Sequence, residues 1–209
     1  EVLPALMARH PGLSFGFEGD QKKKTDLLVS LAGGFAIALF VIYALMAIPL
    51  KSFLQPVLIM TAIPFGVVGA IAGHMITGYD LSILSMFGVI ALAGVVVNDN
   101  IVLVDWVNKR SEHHDTLFEA VRTAGASRLR PILLTSLTTF GGLTPLLLEK
   151  SVQARFLVPM AVSLGFGVMF ATLISLLLVP SLYLVLEDVR RALVASFRWL
   201  YAPRTPPSA

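Results

Sequence analysis

Five long apolar stretches, each closed by charge, proline or a polar turn, set the plan of the chain. The first, 27–50, is free of charge; Lys22, Lys23, Lys24 and Asp26 precede it, and Pro49 and Lys51 mark its end. About 20 such residues in a helix cross the hydrocarbon core of a bilayer. The second, 53–76, places Gly66, Gly69, Ala70 and Gly73 on one helical face. That small-residue stripe lets a neighbouring helix approach closely, as Gly33 and Gly34 do on the first stretch. Pro64 predicts a kink, and Thr77-Gly-Tyr-Asp80 a short turn. The third stretch runs 81–107. The fourth, 131–148, is shorter and rich in Thr and Gly. A turn over Glu149 to Arg155 leads to the fifth, 156–186, with Gly165, Gly167 and Pro180 inside it.

The polar segments fill in the rest. Residues 1–26 hold a short helical stretch and a strand-like Leu13-Ser-Phe-Gly-Phe17, too little to bury a core. They read as the trailing edge of a larger soluble domain, and the chain as the C-terminal piece of a longer protein. Between the third and fourth stretches, Thr116-Leu-Phe-Glu119 has the spacing of a capping box. It predicts a helix over 116–125, lying at the interface on an apolar edge of Leu117, Val121 and Ala124. Residues 189–209 form a basic tail, with Thr-Pro-Pro-Ser-Ala at its end expected to be disordered. The expected fold is all-α and integral to the membrane: five transmembrane helices at 27–188, one interfacial helix and an N-terminal remnant.

Composition sharpens this picture. Of 209 residues, 56% are hydrophobic and 14% charged, with a mean hydropathy of +0.81; soluble domains carry about 25% charged residues. The net charge of +3 does not point to nucleic acid, because the cations sit at the ends of apolar runs, where they anchor helices. Without cysteine there is no disulfide and no thiolate metal site. Lys51, Lys109, Arg110, Arg122, Arg128, Arg130 and the tail arginines fall on one side of a five-span topology. The positive-inside bias makes that side cytoplasmic, against the opposing triple lysine.

Chemistry concentrates where the third stretch is interrupted, at Gly94-Val-Val-Val-Asn98-Asp99-Asn100-Ile-Val-Leu-Val-Asp105-Trp106. A carboxylate flanked by apolar sequence costs about 3 kcal/mol or more near the bilayer centre, so Asp99 is a functional candidate by default. Asn98 and Asp105, seven apart, share a face; Val95, Val102 and Trp106 stand in the column of Asp99. On the next helix Arg128, Thr135, Thr138, Thr139 and Gly142 line one face, a cation followed by hydroxyls. Opposed, the two faces would give a buried carboxylate the donors and the cation that a proton-relay group needs.

Plainer readings stand beside each of these. Asp99 could lock helices together, and the threonine hydroxyls could bond back to their own helix. Arg128 and Arg130 could be interfacial anchors. Asp105 is expected to be solvated and His74, near a span end, to be interfacial. His113-His114-Asp115 lacks a third-ligand geometry and reads as a solvated turn, not a metal site. No hydrolase elbow or phosphate loop is present, so an enzyme is not expected.

In order, Ile48-Pro-Leu-Lys-Ser-Phe-Leu-Gln-Pro56, Ala62-Ile-Pro-Phe-Gly-Val-Val-Gly69, Gly94 to Asp105, and Arg128-Leu-Arg-Pro-Ile-Leu-Leu-Thr-Ser136 resemble the resistance-nodulation-division (RND) efflux permeases. The likeness runs from about Gly16 to Leu186 and corresponds to the eighth to twelfth membrane helices of that family, after the end of a periplasmic α/β porter domain at 1–26. It implies proton-driven efflux of drugs, metals or lipids from a bacterial inner membrane. The N-terminal remnant would be periplasmic and the C-terminus cytoplasmic. It also implies an N-terminal half of the same transporter, a homotrimer, a periplasmic adaptor and an outer-membrane channel, with no cofactor. In that family an Asp pair on the fourth helix meets a partner on the tenth and an Arg and Thr on the eleventh. By motif position the last two are Arg128 and Thr135. Well-known drug pumps have Lys where this chain has Asn98, a departure that passes part of the charge balance to Asp99 or Arg128. The expected relay set is Asp99, Asn98, Thr135 and Arg128. A structural half-transporter, packing against a partner with no relay of its own, is the alternative.

Overall fold

The computed structural model describes residues 19–111 and 117–201. Its order is α1 (Asp20–Leu50), α2 (Leu54–Met60), α3 (Ile63–Thr77), α4 (Ile83–Ser111), α5 (Leu117–Leu148), a 3₁₀ turn (Ala154–Phe156) and α6 (Val158–Tyr201). Among the described residues there is no strand. Five segments are long and apolar enough to cross a bilayer: Lys22–Leu50, Leu54–Thr77, Ile83–Arg110, Val121–Leu148 and Val158–Val189. The chain divides into two compact units, 1–40 and 41–209. The described part of the first is the start of α1, whose side chains are largely exposed. A methyl group on Gly33 or Gly34 would meet open space there.

In the second unit α6 is the hub, packed against α3, α4 and α5. Ala62, Ala70, Leu92, Val96, Val168 and Ala171 form its central cluster, with Val89, Val95 and Leu164 against it. The predicted glycine stripe is what lets α3 lie on α6. A Cβ on Gly73 would stand 2.5 Å from the Phe166 Cβ, and one on Gly69 would land on Phe170. Gly66 faces Leu92 of α4. Sequence periodicity did not single out Gly88, where a Cβ would come 2.5 Å from the Met160 carbonyl oxygen. Without a hydrophobic drive between helices in lipid, such close backbone approach supplies the packing.

Pro64 does more than kink the second span. It divides it, with α2 ending at Met60 and α3 starting at Ile63. Proline cannot donate to the carbonyl four residues back. At the end of α2 the Thr61 hydroxyl donates to Leu58 O at 2.6 Å, a carbonyl that also accepts the Thr61 N–H. Gly78, in the left-handed region at φ 74°, ends α3 with its N–H on His74 O.

Three expectations change. No separate interfacial helix covers 116–125, because α5 runs unbroken from Leu117 to Leu148 and carries Pro131 and Pro145 inside it. Val121 and Ala124 are buried on its inner side. The helix of the fifth span does not stop near 186; α6 continues to Tyr201, into the basic tail. His74 is buried, not interfacial. Its Nδ1 donates to Tyr79 O at 2.9 Å, and Nε2 meets the buried Ser163 hydroxyl of α6 at 2.9 Å. The ring finds one partner in the turn after α3 and the other on α6, which position in the sequence does not reveal. The strand-like 13–17, Thr116, His113-His114-Asp115 and the last residues of the tail lie outside the described residues.

Candidate functional site

Three consecutive polar residues on α4 cannot share a surface, because successive side chains of a helix point about 100° apart. Asn98 is exposed, Asp99 half-buried and Asn100 buried at 1% exposure. Asn98 shares its open face with Ala91, Gly94 and Val102. Asn100 points the other way, among Leu103, Val104 and Val107, and its Nδ2 has no hydrogen-bond partner. Asp105 lies half-buried one turn before Lys109 and pairs with it at 2.6 Å.

The α5 hydroxyls are committed locally. Thr135 donates to Ile132 O at 2.8 Å, Thr138 to Leu134 O and Thr135 O at 2.9 Å, and Thr139 to Thr135 O at 2.8 Å. Thr135 and Thr138 are exposed and Thr139 half-buried. The inner side of α5 is held by Ser136, whose hydroxyl lies 2.7 Å from that of Thr172 on α6. Both are buried. The open face of α5 also carries Leu134 and Leu137.

Arg128 is the one predicted site residue that bridges the two helices. Its Cζ lies 4.1 Å from the centre of the Trp106 ring. Trp106 is seven residues beyond Asp99, or about 10 Å along the axis. Among the described residues no ion pair joins Arg128 to Asp99. The geometry therefore offers a half-buried carboxylate next to the exposed Asn98 on α4, exposed hydroxyls on α5, and a cation of α5 held about two turns further along α4 by Trp106.

A second polar node was not anticipated. Gln55 and Asn108 exchange a reciprocal pair of amide hydrogen bonds at 3.0 Å each, and the Tyr183 hydroxyl donates to Asn108 Oδ1 at 2.8 Å. It ties α2, α4 and α6 beside a cavity of about 680 Å³ lined by Lys51, Asp105, Lys109 and Glu187 among others. Nothing in the spacing of three isolated polar residues 53 and 75 positions apart signals that they meet.

A family model for the AcrB/AcrD/AcrF family matches residues 6–187. The chain belongs to this family of RND permeases. Among its relatives, the swarming motility protein SwrC of Bacillus subtilis (strain 168) is 33% identical over 184 residues, which is 87% of this chain and 18% of that protein. The cobalt-zinc-cadmium resistance protein CzcA of Cupriavidus metallidurans is 31% identical over 167 residues, or 80% of this chain and 15% of that one. A crystal structure of a heavy metal efflux pump superposes with a TM-score of 0.73 at 26% identity, covering 89% of this chain and 19% of the pump. This RND chain thus spans less than a fifth of the length of those relatives.

Proposed function

We propose that this chain is the part of an inner-membrane, proton-driven RND efflux transporter that supplies the tenth- and eleventh-helix side of its proton relay. One observation carries this reading. The faces of α4 and α5 that bear Asn98, Thr135 and Thr138 are open, while their opposite faces are buried against α6 through Leu92, Val96 and Ser136. An exposed Asn on a membrane helix is expensive facing lipid, and the surface that bears it belongs against other protein or a water-filled cavity. In this reading it receives helices from the N-terminal half of the same transporter. Asp99, half-buried at the edge of that seam, exchanges the proton. Asn98 bonds it, and Arg128 and Thr135 bias its charge once the seam closes. The threonine hydroxyls, now donating within α5, keep free lone pairs for a donor from the facing helices.

Cargo is a small molecule or ion; the relatives' names make divalent metal cations the first to test. A trimer with a periplasmic adaptor and an outer-membrane channel completes the assembly, with the C-terminus cytoplasmic. In the complete transporter, Asp99→Asn lowers efflux at least tenfold while membrane insertion and protein level stay normal. Unchanged efflux from that variant sinks the relay, and loss of the folded protein favours a structural lock.

A further inference from the structure

Trp106 lies on the column of α4 that carries Asp99, and two arginines approach its ring. Arg128 of α5 sits 4.1 Å from the ring centre and Arg110, one turn beyond on α4, sits 5.5 Å from it. Arg128 is half-buried. Its Nε is shut off from solvent with no hydrogen-bond partner, as is the Trp106 Nε1. Among the described residues no ion pair or hydrogen bond reaches the guanidinium. What remains to fix it is the face of the indole, the strongest aromatic partner for a cation. The carboxylate on this turn, Asp105, pairs with Lys109 at 2.6 Å, and among the described residues it makes no ion pair with the guanidinium.

From this we infer that Trp106 is a positioning residue for Arg128: its ring holds the guanidinium at the α4–α5 seam against the repulsion of Arg110, and so sets where the cation stands relative to the relay. This rests on the proposed role of Arg128. A salt bridge would trap the guanidinium against a fixed counter-charge. A ring attracts it without neutralising it, so the cation stays available to a carboxylate that is charged in one part of the cycle and protonated in another.

The test uses the complete transporter and reads efflux rate together with protein level in the membrane. Trp106→Tyr and Trp106→Phe keep a ring face; Trp106→Leu and Trp106→Met keep apolar bulk without one. The expected order of rates is Trp, Tyr, Phe, then Leu and Met together, with the non-aromatic variants about 2- to 30-fold down, the span of such contacts from exposed to desolvated. In an Arg128→Lys background the same substitutions have a much smaller effect, since they act through the guanidinium. Leu or Met performing as well as Phe at equal protein level overturns the inference, as does an undiminished effect in the Lys background. Full efflux from Arg128→Ala overturns the relay reading itself, a result separable from either of those.

Discussion

At the level of single residues, the apolar alphabet of this chain makes small differences decisive. Gly73 and Gly33 are both helical glycines in apolar runs. Yet only at Gly73 does a neighbour, Phe166, occupy the place of the missing methyl. Gly73→Ala is therefore expected to destabilise the bundle by about 1–3 kcal/mol through overpacking. Gly33→Ala leaves it unchanged or raises stability by up to about 1 kcal/mol through helix propensity. Thermal unfolding in detergent separates the two, and equal effects would contradict the packing described. The stripe of Gly66, Gly69 and Gly73 was legible because spacing alone puts small residues on one face. The buried state of His74 was not. Whether an imidazole near a span end meets water or a serine depends on which helix crosses it, here α6 with Ser163.

Among whole elements, prolines acted differently from one another. Pro64 divides a span at a seven-residue helix, whereas Pro131 and Pro145 lie within a helix of 32 residues that continues past both. A long helix packed along α6 absorbs one lost N–H, but a short one next to a break has little to hold it. The Gln55–Asn108–Tyr183 node takes over the tying of α2 to α4 and α6. Asn108→Ala leaves the Gln55 amide without its reciprocal partner and is expected to cost about 1–3 kcal/mol, seen as a lower melting temperature. A loss no larger than that of an exposed polar residue would show that water replaces these bonds freely. The α5–α6 turn has its own pH response. Glu149, just past the span, accepts the N–H groups of Ser151 and Lys150 at 3.0 Å, which hold its carboxyl below the usual range. A lowered folded value means the turn is favoured above the ordinary carboxylate value. That preference is lost as pH falls through the lowered one. Protection of the Lys150 and Ser151 amides, taken against their intrinsic exchange rates at each pH, should fall on acidification, and Glu149→Ala should remove that dependence.

For the molecule as a whole, the half-site proposed for the open faces of α4 and α5 sets what the chain is expected to do alone. Reconstituted by itself in proteoliposomes, it is expected to carry neither protons nor cargo; coupled flux from the isolated chain would refute the half-site reading. These 209 residues contain no cysteine, so a single introduced thiol is unambiguous in the isolated chain, and in the complete transporter any other cysteines are first replaced. A thiol placed at Asn98 or Thr135 should label with a membrane-permeant reagent in the isolated chain and be protected in the complete transporter, while one at Ser136 stays protected in both. Family, span number and the location of the costly carboxylate could all be read from residue order, because the bilayer imposes length and polarity on each helix separately. Which of Asn98, Asp99 and Asn100 turns outward, and that Arg128 rests on Trp106, depends on rotation and crossing. Those are set by contacts between residues far apart in the chain, so they emerged only when the helices were packed together.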